Sequence, residues 1–138
     1  MRKFLAAAVI GMSLVIPAKT VTAPHLTSVR PHPLVWSHKV TVRGVRLKKV
    51  TAVCFKWEGY GYQCFTNGYS VTNNYPWTDP VYSSPNPLDP LHLRVSSHSI
   101  TFDMPWVLSP YLWVCNKGFL GEAAAAGVSN LLTINVKS

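Results

Sequence analysis

The sequence is short of acid. Only five carboxylates occur in 138 residues (Glu58, Asp79, Asp89, Asp103 and Glu122), against thirteen lysines and arginines, for a formal net charge of +8. Paired-carboxylate hydrolysis needs two acids about 5–9 Å apart, and few pairs are available. Asp79 and Asp89 share one segment, but each precedes a proline and reads as a turn former. Helical patterning is missing too. Beyond the first two dozen residues no heptad or 3.6-residue period appears, and the one cluster of helix formers, 122–126, lies between Gly121 and Gly127. The chain also lacks Gly-x-Ser-x-Gly, a glycine-rich phosphate loop after a strand, and His or Cys pairs at metal-ligand spacing. These absences argue against acyl transfer, nucleotide chemistry and a locally encoded metal site. The five histidines (His25, His32, His38, His92 and His98) read as scattered surface residues. We expect no catalytic residues, no cofactor and no metal.

No apolar run reaches the ~20 residues that a bilayer-spanning helix requires. The nearest is 4–16, FLAAAVIGMSLVI, preceded by Arg2 and Lys3 and followed by small-residue endings at Ala18 and Ala23. That is the layout of a secretory signal peptide, cleaved after Ala23 or Ala18. We therefore expect a signal peptide over 1–23, a single domain over 24–138, and a secreted, periplasmic or cell-surface protein with no membrane span after cleavage. Cleavage after Ala18 removes Arg2 and Lys3 and leaves eleven basic residues against five acids; cleavage after Ala23 removes Lys19 as well and leaves ten.

What is present is β-forming. Short β-branched and aromatic runs separated by turn residues predict strands over 38–45, 50–57, 62–66, 91–95, 99–104, 111–115 and 131–136. About seven strands spaced by turns predict an antiparallel β-sandwich. The expected core is Val40, Val42, Val53, Phe55, Ile100, Phe102, Leu112, Val114, Leu132 and Ile134. Between 73 and 90 five prolines leave few ladder donors, which predicts a long surface loop.

Laid end to end, these segments resemble the IPT/TIG domain, an immunoglobulin-like sandwich of many extracellular proteins. KVTVRGVRL at 39–47 is similar to the family's valine-threonine-valine-x-glycine-x-x-leucine strand and bend, and VTAVCF at 50–55 to its next strand. VSSHSITFDMP at 95–105 resembles its V-S-x-x-x-I-x-F-x-x-P segment, with 112–116 and 127–136 matching its last two strands. The opening glycines of the family are absent, and the proline loop is longer than its norm. The resemblance implies an immunoglobulin-like fold and a habit of binding, with no catalytic activity attached to it.

Candidate sites follow from strand alternation. With Val53 and Phe55 inward, Cys54 and Lys56 face outward; with Leu112 and Val114 inward, so do Trp113 and Cys115. We expect an aromatic binding surface from Trp77, Tyr75 and Tyr82 in the long loop, Trp113 on the sheet face, and Tyr60 and Tyr62 at the hairpin tip. The alternative is that the loop folds down and buries Trp113. The cations concentrated over 39–56 suggest an anion-binding group of Arg46, Lys48, Lys49 and Lys56, the competing reading being a solvated strand face. Three cysteines leave one over after a disulfide forms. We expect Cys54–Cys64 across the hairpin, with Cys115 remaining a thiol; Cys54–Cys115 is the competing pair. The implied partner is a protein or glycan outside the cell, with self-association and anionic polymers as alternatives. A self-assembling surface or virion subunit, or a small secreted hydrolase, are the other functional classes.

Overall fold

Alternation of β-branched residues builds most of the ladder. The computed structural model describes residues 23–56, 61–73, 81–83, 91–117 and 126–137. The expected signal segment, 1–23, therefore lies outside the described residues, apart from Ala23. The strands are β1 (His25–Arg30), β2 (Leu34–Val35), β3 (Lys39–Val45), β4 (Val50–Lys56), β5 (Tyr62–Phe65), β6 (Ser70–Asn73), β7 (Val81–Ser83), β8 (Arg94–Val95), β9 (Ser99–Asp103), β10 (Tyr111–Asn116), β11 (Leu132–Thr133) and β12 (Val136–Lys137). Each of the seven expected stretches contains a strand. The 131–136 stretch is divided in two, and β1, β2, β6 and β7 come in addition. β1 escapes a period-two reading because its register shifts between Leu26 and Ser28, so the buried residues Leu26 and Val29 stand three apart. β7 runs through the segment expected to be all loop, pairing with β6.

Two antiparallel sheets hold the molecule, in the orders β1-β3-β9-β8 and β11-β10-β4-β5-β6-β7, with β12 and β2 forming a short parallel pair. This is the strand arrangement of an immunoglobulin-like sandwich whose second sheet is widened by β5, β6 and β7. Its core is formed by the inward side chains of both sheets. Nine of the ten expected core residues are buried, and Leu132 packs partly buried against them. Phe55 links the sheets, meeting Phe102 edge-on at 6.4 Å and Phe65 at 5.9 Å between ring centres. Burying such a ring contributes about 1.5–3 kcal/mol of hydrophobic free energy.

A second, smaller cluster lies on the far side of the six-stranded sheet: Ala52, Cys54, Tyr62, Cys64, Trp113, Cys115 and Val128. β4 and β10 are thus covered on both faces, and their sequences VTAVCFK and YLWVCN carry apolar residues on both. The expectation of an outward, solvent-facing Trp113 is corrected: Trp113, Cys54 and Cys115 point away from the main core yet are fully buried.

Two asparagines clasp the sandwich. Asn130 Oδ1 accepts from the Leu26 amide at 2.7 Å, and its Nδ2 donates to the Leu26 carbonyl at 3.0 Å. Asn67 treats Leu93 the same way, at 2.7 and 3.0 Å. Each side chain supplies both backbone partners that a neighbouring strand would otherwise provide. Gly44 matters for a different reason, since a Cβ there would lie 2.0 Å from the His25 carbonyl oxygen.

Candidate functional site

Strand pairing sets one continuous row across the outer face of the six-stranded sheet: Tyr82, Val71, Cys64, Cys54, Trp113. Burial falls off along it. Trp113 is covered and meets Tyr62 edge-on at 5.7 Å. Tyr62 is itself buried, its hydroxyl accepting from Asn73 Nδ2 at 3.2 Å. At the other end of the row, on edge strand β7, Tyr82 is 65% exposed and lies 5.8 Å from the ring of Tyr69, which is 41% exposed. Of the six expected aromatic binding residues, Tyr82 is at the surface and Trp113 and Tyr62 are inside. Tyr60, Tyr75 and Trp77 lie outside the described residues. Tyr69 was not anticipated; its signal was an aromatic in the Thr66–Tyr69 turn, where it cannot reach the core.

A further aromatic pair sits on a different part of the molecule. Trp36 and Trp106 stack at 6.4 Å with 29° between planes, the Trp36 indole N–H donates to the Val107 carbonyl at 2.8 Å, and Trp106 Nε1 donates to Ser37 Oγ at 3.2 Å. Trp106 and Leu108 are both more than half exposed. The readable signal was an apolar run held between Pro105 and Pro110, two residues that keep it out of a ladder.

The cations do not form one cluster. Arg46, Lys48 and Lys49 occupy the β3–β4 connection and are exposed, and the backbone of Lys117 reaches them through a 3.2 Å bond to the Lys49 carbonyl. Arg46 adopts φ 58° and donates from Nε to the Ala23 carbonyl at 2.7 Å. Lys56 stands at the opposite end of β4, which at ~3.3 Å per residue is roughly 20 Å from Lys49. The grouping of Lys56 with the other three is therefore corrected. Lys39 and Arg43 instead join Arg30 and Arg94, all exposed, on the outer face of the four-stranded sheet, where one row reads Arg30, Thr41, Thr101, Arg94. Asp103 is the only carboxylate among the described residues.

Asp103 Oδ2 lies 2.6 Å from Nδ1 of His92, whose φ is 50°. An acid–histidine pair of this kind orients an imidazole for proton transfer. Here the histidine is 63% exposed, and among the described residues its only hydrogen-bond partner is Asp103. The pair thus has an acid and a base with no nucleophile hydrogen-bonded to them among the described residues.

The remaining chemistry is sulfur. Cys54 and Cys64 face each other across β4 and β5 and form the expected disulfide, with Cα atoms 4.0 Å apart. Cys115, diagonal to Cys54 on β10, holds its Sγ 3.5 Å from that of Cys54. A disulfide fits an oxidising compartment, and among the described residues no helix is long and apolar enough to cross a membrane. Comparison of the chain with family models, with curated proteins and with solved structures yields no match.

Proposed function

We propose that the chain is an exported, non-catalytic binding module, with an IPT/TIG-like sandwich as its scaffold and a protein or glycan outside the cell as its partner. The observation that carries this reading is the Tyr69–Tyr82 pair. Two tyrosines stand in ring contact at the edge of the wide sheet, well exposed, next in sequence to the segment that bears Tyr75 and Trp77. Tyrosine supplies large contact area at low entropic cost, with a hydroxyl for orientation. With Trp113 buried, the recognition surface moves from the middle of the sheet to this edge. The test is capture of partners from a glycan array and an extracellular protein fraction by the mature domain and by a Tyr69→Ala, Tyr82→Ala variant. The variant should lose most of the captured ligands; equal retention by both proteins sinks the reading.

A second reading has its own observation. Arg46, Lys48 and Lys49 converge in one turn near Lys117, with no carboxylate among the described residues there. Such an end attracts anionic polymers by counterion release. Binding that disappears with salt and with Lys48→Ala, Lys49→Ala, while surviving the tyrosine changes, assigns function to this end. A self-assembling subunit would use β7 and β8, each an end strand of its sheet, which pair with no further strand among the described residues, and sedimentation at micromolar concentration separates it from a monomeric binder.

A further inference from the structure

Cys54, Cys64 and Cys115 bring their sulfur atoms together inside the second apolar cluster, every pair within 4.8 Å and all three side chains without solvent exposure. Two chemistries compete for such a trio. One is thiol–disulfide exchange, in which the Cys115 sulfur attacks Cys54 and expels Cys64. That displacement wants three sulfurs in line, which with an S–S bond of about 2.05 Å and the observed 3.5 Å approach to Cys54 would put the outer two more than 5 Å apart. The sulfurs instead form a triangle. A triangle is the arrangement a metal ion wants. Three thiolates around an ion at ~2.3 Å stand about 4 Å from one another; Cys115 already lies 3.5 Å from Cys54, and the Cys54 and Cys64 sulfurs, bonded in this structure, reach that spacing by moving apart once reduced.

We propose that, when the Cys54–Cys64 bond is reduced, the three cysteines form a trigonal thiolate site for a soft monovalent ion of the copper(I) type. The strand ladder supplies the preorganisation. Cys54 and Cys64 stay opposite each other through the β4–β5 pairing, and Cys115 is held on the same face by the β4–β10 pairing, whichever state the sulfurs are in. Softness follows from the all-sulfur donor set. The preference for a three-coordinate ion over zinc follows from ligand number, because no fourth histidine, cysteine or carboxylate joins the trio among the described residues. Lys56, two residues from Cys54 on the same face, sets positive charge beside the anionic site. The chemistry balances with a dithiol as reductant. Two electrons from the dithiol cleave the Cys54–Cys64 bond, the dithiol closes to its own disulfide, and its two protons appear on the two new thiols. The ion then displaces thiol protons to solvent with no change in its own oxidation state. Reoxidation and metal binding exclude each other, so the trio alternates between a structural disulfide and a metal site.

The test is anaerobic titration of copper(I) into the full chain, once with the disulfide intact and once after reduction, in competition with a chromophoric copper(I) chelator. The reduced chain should take one ion, with an ultraviolet thiolate-to-copper absorption and quenching of Trp113 fluorescence, and the disulfide-bonded chain should take none. Cys115→Ser should weaken uptake by the reduced chain by more than the ~10–100-fold typical of changes to groups that merely support ligands. X-ray absorption on the loaded wild type should count three sulfur neighbours, a readout that needs no variant. Two sulfur neighbours, equal uptake by oxidised and reduced chains, or loss of the near-ultraviolet circular dichroism on reduction would each overturn the proposal. Zinc(II) offered alone should bind more weakly than copper(I), and the reverse order also overturns it.

Discussion

Position 113 and position 82 occupy the same row of the same sheet, yet substitutions there should do opposite things. Trp113 is fully buried against Tyr62 and the cysteines, so Trp113→Ala leaves a large cavity and should cost about 3–5 kcal/mol of stability. Tyr82 is 65% exposed, and Tyr82→Ala should change stability by no more than ~0.5 kcal/mol. Urea denaturation followed by fluorescence distinguishes the two: a marked fall in midpoint for the first, nearly none for the second. The contrast also decides which aromatic serves as a clean probe of binding. At the same scale the disulfide closes a loop of only ten residues in sequence separation. Its removal by Cys64→Ser should lower stability by ~2–3 kcal/mol in the chain-entropy picture, measured against the oxidised wild type.

Elements fail at their junctions, and the junctions of this sandwich are made by single side chains. Asn130 satisfies both backbone groups of Leu26, just where β1 breaks register. Asn130→Ala would strand those two groups and should cost about 1–3 kcal/mol, with hydrogen exchange at the Leu26 amide accelerating before the rest of β1. Gly44 faces Leu26 across the same irregularity. A methyl group there meets the His25 carbonyl oxygen at 2.0 Å, so Gly44→Ala must push β1 away, an overpacking cost of roughly 1–3 kcal/mol seen as a lower thermal midpoint. At this scale the sequence was half legible. β3, β4, β9 and β10 stand out because three or more β-branched or aromatic residues fall in register. β1 was hidden by its bulge, β6 by its Ser, Thr and Asn, and β7 by its length of three residues between Pro80 and Pro85, its pairing coming from a neighbouring strand.

For the whole molecule, charge is dispersed rather than gathered. Basic residues that lie close in sequence separate onto the outer face of one sheet (Lys39, Arg43), a turn at one end (Arg46, Lys48, Lys49) and the outer face of the other sheet (Lys56). Period-two alternation and the sandwich crossover force that division, because β3 and β4 belong to different sheets. If an anionic polymer binds at the turn, replacing Lys48 and Lys49 together should reduce the slope of log K against log salt by about two, one per lost contact. The Lys56→Ala change should leave that slope as it is. Retention on a polyanion column across a salt series reads both.

The chain by itself determined the β class and the inward faces of the principal strands, and it favoured Cys54–Cys64 over the competing Cys54–Cys115 pair, a choice the structure then settled. These follow from local terms: alternation at period two, turn residues at Gly and Pro, and cysteines facing each other across one hairpin. Only the tertiary structure decided that the outer face of β4 and β10 is covered, that Tyr69 and Tyr82 meet at a sheet edge, that Trp36 and Trp106 stack, and that Cys115 comes to 3.5 Å from Cys54. Each of these joins residues brought together by pairing or packing across the fold. Alternation states which side of a strand a residue takes; what lies over that side is set by distant segments, and burial is a property of the cover as much as of the residue.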